Sequence, residues 1–315
     1  MATFVVTGGG GFIGSNLAET ILKGGDAVRV LDNFETGRRV NLADAPAWAA
    51  AGRTTYTLIE GDIRDLALCR RAVEGADYVL HQAAIPSVQR SIQDPISSNE
   101  VNVTGTLNVL LAARDAKVKR VVMASSSSLY GDSETLPKVE TMAPAPISPY
   151  GLQKLAGETY LGLFHRLYGV PTVALRYFNV FGPRQDPGSE YSAVIPRFMA
   201  SIRAGSAPTI YGDGEQTRDF SHIANIVQAN LKACAAPESA LGAAYNIACG
   251  ERISLNELVA IVAEFGGREV RPVYAPERQG DIKHSLAAIG KAEQALGYRP
   301  TVSVHEGLRL TWDAS

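Results

Sequence analysis

Residues Thr7–Gly14 read T-G-G-G-G-F-I-G and join a short β-rich run, Thr3–Thr7, to an apolar helix-patterned stretch, Phe12–Leu22. No other feature constrains the fold as much. Glycines at 8, 11 and 14 permit a tight turn, close approach of backbone to a pyrophosphate, and close helix–strand packing. The helix start then offers unpaired N–H groups and a positive dipole end to phosphate. The spacing is G-x-x-G-x-x-G rather than the commoner G-x-G-x-x-G, so the context has to carry the assignment. That context includes Asp32, at the end of the next β-rich run and 18 residues after Gly14. This is close to the offset of about 20 residues expected for an acid that binds a ribose.

A carboxylate at Asp32 accepts from a ribose 2′-hydroxyl and repels a 2′-phosphate. NAD is therefore expected over NADP, although Arg38 and Arg39 lie close by in sequence. Further strands are expected at Ala27–Asp32, Thr55–Ile59, Tyr78–His81, Arg120–Ser125 and Thr172–Tyr177, with helix-period segments between them, notably Ile96–Ala116 and Tyr150–Tyr168. Such alternation predicts an α/β fold, a Rossmann-type doubly wound parallel sheet that binds ligands at its C-terminal strand ends. Asp62 and Gln82–Ala84 follow the third and fourth strands, where the cofactor's adenine and centre would lie. Asp62 could equally cap a helix.

After Tyr177 the pattern changes. Asn179–Tyr191 is rich in Gly, Pro and charge, and helices at Val194–Ala204, Ser254–Phe265 and Ala287–Leu296 follow, with a turn at Gly212–Gly214. This predicts a smaller α/β C-terminal substrate lobe. The helix Ile223–Ala235 and strand Ala244–Ile247 carry a core-like pattern that returns them to the first sheet. The expected division is 1–178 plus about 221–248 for the dinucleotide domain, and 179–220 plus 249–315 for the lobe.

The formal net charge of −2 gives no broad field to gather nucleic acid or anionic lipid, so neither nucleic acid nor membrane is an expected partner. Three scattered cysteines, Cys69, Cys234 and Cys249, fit neither a metal site nor a disulfide framework and suit a reducing cytoplasm. His81, His222 and His284 have no ligand-like arrangement, so no metal is expected.

Tyr150 and Lys154 are spaced i, i+4 and share one helix face, with Ser148 and Pro149 as the expected N-cap and first helical residue. An ammonium beside a phenol should pull the tyrosine pKa down and make it a general base for an alcohol. The serine run Ser125–Ser128 follows a strand and precedes Leu129-Tyr130-Gly131, where a hydroxyl could pass a proton to Tyr150.

The glycine turn, the serines before L-Y-G, S-P-Y-G-L-Q-K at 148–154 and R-Y-F-N-V-F-G-P-R-Q-D-P at 176–187 together resemble extended short-chain dehydrogenase/reductases. Within these the chain is similar to UDP-sugar 4-epimerases, especially bacterial UDP-N-acetylglucosamine 4-epimerases. The resemblance spans nearly the whole chain. It implies Ser126, Tyr150 and Lys154 as the catalytic group, with a shift by one within the serine run left open. It also implies a cofactor site of Gly8, Gly11, Phe12, Ile13, Gly14, Asp32, Asn33, Gly37, Asp62, Ile63, Gln82, Ala83, Ala84, Asn102, Tyr177 and Val180, joined by Tyr150 and Lys154. Related dehydratases carry Asp-Glu beside the catalytic hydroxyl, whereas both places are serine here. The implied reaction oxidises C4, turns the 4-keto sugar over, and reduces its other face.

A UDP-sugar needs cations for two phosphates, acceptors for the ribose and a flat wall for uracil. Arg218, Arg278 and Asp281 suit these needs, and Tyr211 is a candidate stacking surface. The resemblance implies that Asn179 and Arg218 contact the diphosphate and that Val194 and Ile195 face uracil. It puts Ser127 and Ser128 in the sugar pocket and Ser87 and Arg90 near the sugar. Ser285 falls beside the C2 substituent, where a small residue leaves room for an N-acetyl group. The serines and Arg184 could instead receive the carboxylate of a UDP-glucuronate. A reductase or dehydratase on the same scaffold, and a non-catalytic dinucleotide sensor, are the rival readings. A homodimer is implied by the resemblance alone.

Overall fold

Alternate residues of the first strand go to opposite sides of the molecule: Phe4 and Val6 join one apolar cluster, Val5 another. A strand covered on both faces demands this period of two. The computed structural model, which describes residues 1–186, 194–277 and 283–314, sets seven strands into one sheet. They are β1 (Thr3–Thr7), β2 (Ala27–Asp32), β3 (Tyr56–Glu60), β4 (Tyr78–His81), β5 (Arg120–Ser126), β6 (Thr172–Tyr177) and β7 (Ala243–Ile247). Their order is β7-β6-β5-β4-β1-β2-β3, and every neighbouring pair is parallel. The Rossmann-type sheet expected from the sequence is what forms. Chain direction across the sheet reverses between β1 and β4, the position where such sheets bind ligands.

Helices cover both faces. α1 (Phe12–Lys23) and α2 (Ala45–Gly52) pack with α9 (Ile223–Cys234) over the Phe4/Val6 side. α3 (Leu66–Val73), α6 (Thr106–Ala116) and α7 (Pro149–Tyr168) pack over the Val5 side. Each fully buried Leu, Val or Phe here contributes about 1.5–3 kcal/mol. Ser148 caps α7 by accepting from Gly151 N at 3.1 Å, and Gly169 ends it in the left-handed region at φ 66°. Gly157 lets that helix settle on β5, since a Cβ there would stand 3.2 Å from the Met123 sulfur.

The segment expected as one helix over Ile96–Ala116 is broken. Pro95 opens a single turn, α5 (Pro95–Asn99), and a π-helical stretch, Glu100–Gly105, precedes α6. Within it the Asn102 side chain donates to Ile85 O at 3.1 Å and accepts from Ile85 N at 2.8 Å, so the widened turn holds the chain after the fourth strand. The expected helix over Ala287–Leu296 is also shorter, running as α11 (Gly290–Leu296), because Ala287 N is held by Asp219 Oδ2 at 3.1 Å. Helices α2, α3, α4 (Val88–Gln93) and α12 (Val304–Asp313) had not been expected. The S-x-x-E pattern at Ser303–Glu306 was a readable start signal for α12, and Ser303 does accept from Glu306 N at 3.2 Å.

A smaller core gathers α8 (Val194–Arg203), α10 (Leu255–Phe265) and α12 around Phe181, Phe198, Ile202, Leu258 and Leu308. Among the described residues no helix is long and apolar enough to cross a membrane.

Candidate active site

The glycine turn ends β1 at the sheet's switch point and opens a cleft of about 530 Å³. Gly8 has φ 71°, and a Cβ there would stand 2.6 Å from Ala83 N. A Cβ on Gly14 would stand 2.2 Å from Gly8 O, so α1 can approach the turn only with glycine at that position. Gly11 is the N-cap of α1 and supplies no side-chain cap, leaving the first N–H groups of the helix to a ligand. Gly8, Gly11, Phe12, Ile13 and Gly14 all line the cleft.

Asp32, at the end of β2, accepts from Gly10 N and from Phe34 N, both at 2.7 Å. Burial raises its pKa and these two bonds oppose that rise. Its carboxylate lines the cleft and keeps lone pairs for further donors. Asn33 lines the cleft too and donates to Asp62 Oδ2 at 2.7 Å. Asp62 does not cap a helix: Asp65 performs that task for α3, accepting from Leu68 N at 3.0 Å. Ile63, Gln82, Ala83, Ala84, Tyr177 and Val180 complete this wall with Asp62.

Two residues expected at the cofactor stand behind the wall. Gly37 backs Asp32, where a Cβ would lie 3.0 Å from Oδ2. Asn102 is occupied with Ile85 and donates to Gln153 Oε1 at 2.8 Å. Neither lines the cleft. Glu35, Thr36, Ile85, Pro86 and Gln185 do, and sequence reasoning missed them. Ile85 and Pro86 simply continue the run Gln82–Ala84. Gln185 carries no local signal, since only the tertiary fold brings it across.

At the far end of the cleft, β5 delivers the serines and α7 delivers Tyr150 and Lys154. The four serines are not equivalent. Ser125 is buried and donates away from the cleft, to Glu158 Oε2 at 2.9 Å. Ser126 Oγ accepts from Ser128 N at 3.1 Å and from Ser128 Oγ at 2.9 Å, so its own proton is left to give. Ser126 also lies near enough to the Tyr150 phenol to oppose the rise in its pKa. Ser127 and Ser128 line the cleft beside it.

The expected lowering of the Tyr150 pKa by Lys154 is not found. Burial raises the phenol above its ordinary value, and it is Ser126 that acts the other way. The Lys154 ammonium is turned to Ala124 O, at 2.9 Å, and stands 5.8 Å from the centre of the Tyr150 ring. Burial pushes the Lys154 pKa down to about 8, which still leaves it protonated at neutral pH.

A second cavity, about 220 Å³, adjoins the first through Asn179 and Val180, which line both. Val194, Ile195, Phe220 and Leu255 give it apolar walls, and Arg218 supplies a cation. The Arg218 guanidinium donates to Thr217 O at 3.0 Å and Lys283 O at 3.1 Å, which fixes its direction. Ser285 lines neither cavity; its N–H donates at 3.1 Å to Thr217 O, the carbonyl that Arg218 also bonds. Tyr211 lines neither cavity; its carbonyl accepts from Gln216 Nε2 at 2.6 Å. Ser87 is used as the cap of α4, and Arg90 pairs with Glu35 at 2.8 Å; both stand outside the cavities. Arg184, considered for a substrate carboxylate, is already paired with Glu19. Arg278 and Asp281 lie outside the described residues.

The sequence profile described as the NAD dependent epimerase/dehydratase family matches residues 4–248, more than three quarters of the chain. The chain belongs to the NAD-dependent epimerase/dehydratase family. Within this epimerase/dehydratase family it is 36% identical over 309 residues to a UDP-glucose 4-epimerase of Mycolicibacterium smegmatis, covering 98% of this chain and 96% of that one. A solved UDP-N-acetylglucosamine 4-epimerase of Methanobrevibacter ruminantium, in complex with UDP-N-acetylmuramic acid, superposes with a TM-score of 0.93 at 37% identity, covering 99% of this chain and 97% of that one. A Thermus thermophilus UDP-glucose 4-epimerase in complex with NAD superposes with a TM-score of 0.86 at 36% identity, covering 99% and 98%. NAD is the cofactor of this epimerase/dehydratase, and the cleft fits it. The glycine cradle would be filled by any Cβ, Gly11 leaves the first N–H groups of α1 to a phosphate, and Asp32 presents a carboxylate that accepts from a ribose hydroxyl.

Proposed function

We propose that this chain inverts C4 of UDP-linked sugars and that its preferred pair is UDP-N-acetylglucosamine and UDP-N-acetylgalactosamine. One observation carries the reading: Tyr150 and Ser126 line the same cleft as the glycine turn, so acid–base groups and cofactor cradle share one space.

Bound NAD supplies the acceptor and then the donor of the C4 hydride. Tyr150 takes the proton of the C4 hydroxyl and later returns one to the C4 oxygen, after the 4-keto sugar has turned about its diphosphate link. Ser126, which accepts from two Ser128 donors, keeps its own proton to bridge the phenol and the sugar oxygen. Lys154 holds β5 against α7 and keeps a positive charge in a site whose burial otherwise disfavours a phenolate. Asn179 and Arg218 would hold the diphosphate at the junction of the two cavities, with Val194, Ile195 and Phe220 against the base. Because both transfers occur inside one complex, positioning supplies much of the rate. The serines supply no carboxylic acid for elimination, which favours epimerase over dehydratase. The proposal includes a homodimer, read by sedimentation.

The preference for N-acetylated sugars rests on the small side chain at Ser285. Incubating the enzyme separately with UDP-N-acetylglucosamine, UDP-glucose and UDP-glucuronate, and timing the appearance of each C4 epimer, tests it. UDP-N-acetylglucosamine should turn over fastest. A faster rate with either of the others would replace the sugar in this proposal, and no epimer from any of the three would end it.

A further inference from the structure

Residues 182–186 follow the short strand Val180–Phe181, which pairs with Ser221–His222 outside the main sheet, and run along the cleft wall to the first helix. Gln185 lines the cleft together with Gly11, Phe12 and Ile13. Its Nε2 donates to Val180 O at 3.2 Å, while its Oε1 is buried with no partner among the described residues. The strap thus contributes the Gln185 side chain to the wall of the cleft, with its amide oxygen shut inside the protein.

The outer face is fastened to the dinucleotide side. Asn16 Nδ2 donates to Pro183 O at 3.2 Å. The Arg184 guanidinium donates to Asn16 Oδ1 at 2.8 Å and to Glu19 Oε2, and lies 5.2 Å from the centre of the Trp48 ring on α2. Asp186 pairs with Arg38 at 3.7 Å. Asn16 and Glu19 stand one and two turns along the same helix whose first N–H groups form the phosphate edge of the cleft. Arg184 also has φ 72°, a left-handed conformation that a non-glycine residue keeps only where its contacts over-determine it.

The Arg184–Glu19 pair is partly buried, with 20% and 27% of its side chains exposed, so water screens it less than a surface pair. Gln185 and the start of α1 line the same cleft, so lifting the strap would open that wall. Lifting it breaks the ion pair, two bonds to Asn16 and the Trp48 stacking together. An enzyme whose cofactor is restored in each cycle has no need to release it, so such a fastening carries no penalty in turnover.

We propose that Arg184 and Glu19 form a clasp that holds the 182–186 strap over bound NAD and sets the rate at which NAD leaves. They act on the cofactor as positioning residues, through the strap, and the inference holds for any sugar substrate.

The test is the rate of NAD release from the holoenzyme, followed as NAD retained on desalting against a chase of free etheno-NAD. Arg184→Ala should release NAD about tenfold faster, Glu19→Gln several-fold faster, and Arg184→Lys should lie between wild type and alanine because it keeps charge but loses the fork. Wild-type release should also accelerate with added salt, a measurement that needs no variant to fold. Release within twofold of wild type in both Glu19→Gln and Arg184→Lys, with no salt dependence, overturns the clasp. So does a lowered melting temperature in these variants with unchanged release, which would make the pair a structural tie only.

Discussion

Lys154 Nζ donates to the carbonyl oxygen of Ala124 at 2.9 Å, which fastens α7 to the strand whose last residue is Ser126. The lysine therefore ties together the two elements that carry Ser126 and Tyr150. Its ammonium bonds a backbone carbonyl rather than the phenol, and burial dominates the tyrosine pKa.

Tyr150→Phe removes one oxygen and keeps the ring packing. Turnover should fall about 10²- to 10⁴-fold, the usual worth of a positioned acid–base group, while calorimetry should show UDP-sugar affinity within about threefold. Near-normal turnover would take Tyr150 out of the reaction.

The serine run can be resolved by single substitutions. Ser126→Ala should lower kcat about 10²-fold. Ser128→Ala should cost far less, since Ser128 donates to Ser126 and does not stand next to the phenol. If Ser128→Ala were the more damaging of the two, the proton path would run through the wrong hydroxyl in the scheme above.

Gly14→Ala puts a methyl 2.2 Å from Gly8 O and 2.7 Å from Gly9 Cα, both of them backbone that cannot swing aside. The turn must open, at a cost of about 3 kcal/mol or more. Denaturant unfolding should show that loss, and NAD should no longer co-purify. Normal stability with full NAD content would contradict the close approach of α1 to the turn.

Between Thr7 Oγ1 at 2.7 Å and Thr106 Oγ1 at 2.9 Å, His81 is buried neutral. Burial first, and then the Lys154 charge, depress its pKa to about 3 from an ordinary 6.5. Between those values the unfolded chain holds a proton that the folded chain does not. The His81 contribution is thus complete above pH 6.5 and is lost as the pH falls toward 3. His222, depressed to about 4 by burial, loses stability in the same direction as the pH falls. Melting temperature measured from pH 7 down to 5 should drop less steeply in His81→Gln than in wild type. Parallel curves would refute the assignment.

Ser285→Tyr introduces bulk beside Arg218 and Thr217. Rates on UDP-N-acetylglucosamine should fall more than about tenfold while UDP-glucose changes less than threefold, since a clash falls on the larger C2 substituent alone. Equal losses on the two sugars would show that Ser285 does not gate the pocket.

The cleft was readable where its residues are consecutive or helix-spaced. Gly8–Gly14, Gln82–Ala84 and the Tyr150–Lys154 pair each declare themselves locally, because a phosphate turn, a strand end and a helix face are local geometries. Arg184 shows the opposite case. Its sequence context suggested a substrate carboxylate, yet the carboxylate it meets is Glu19, on a helix 165 positions away. Asn102 read as a cofactor residue and instead holds Ile85.

By itself the sequence determined the sheet, the dinucleotide turn and the Tyr150–Lys154 helix face, since hydrophobic period, glycine spacing and i, i+4 placement act over a few residues. Only the tertiary structure decided which serine lies near the phenol, which carbonyl the lysine ammonium bonds, and which distant segment joins the cleft wall. Those outcomes depend on burial and on partners brought from distant parts of the chain, and neither leaves a trace in local spacing.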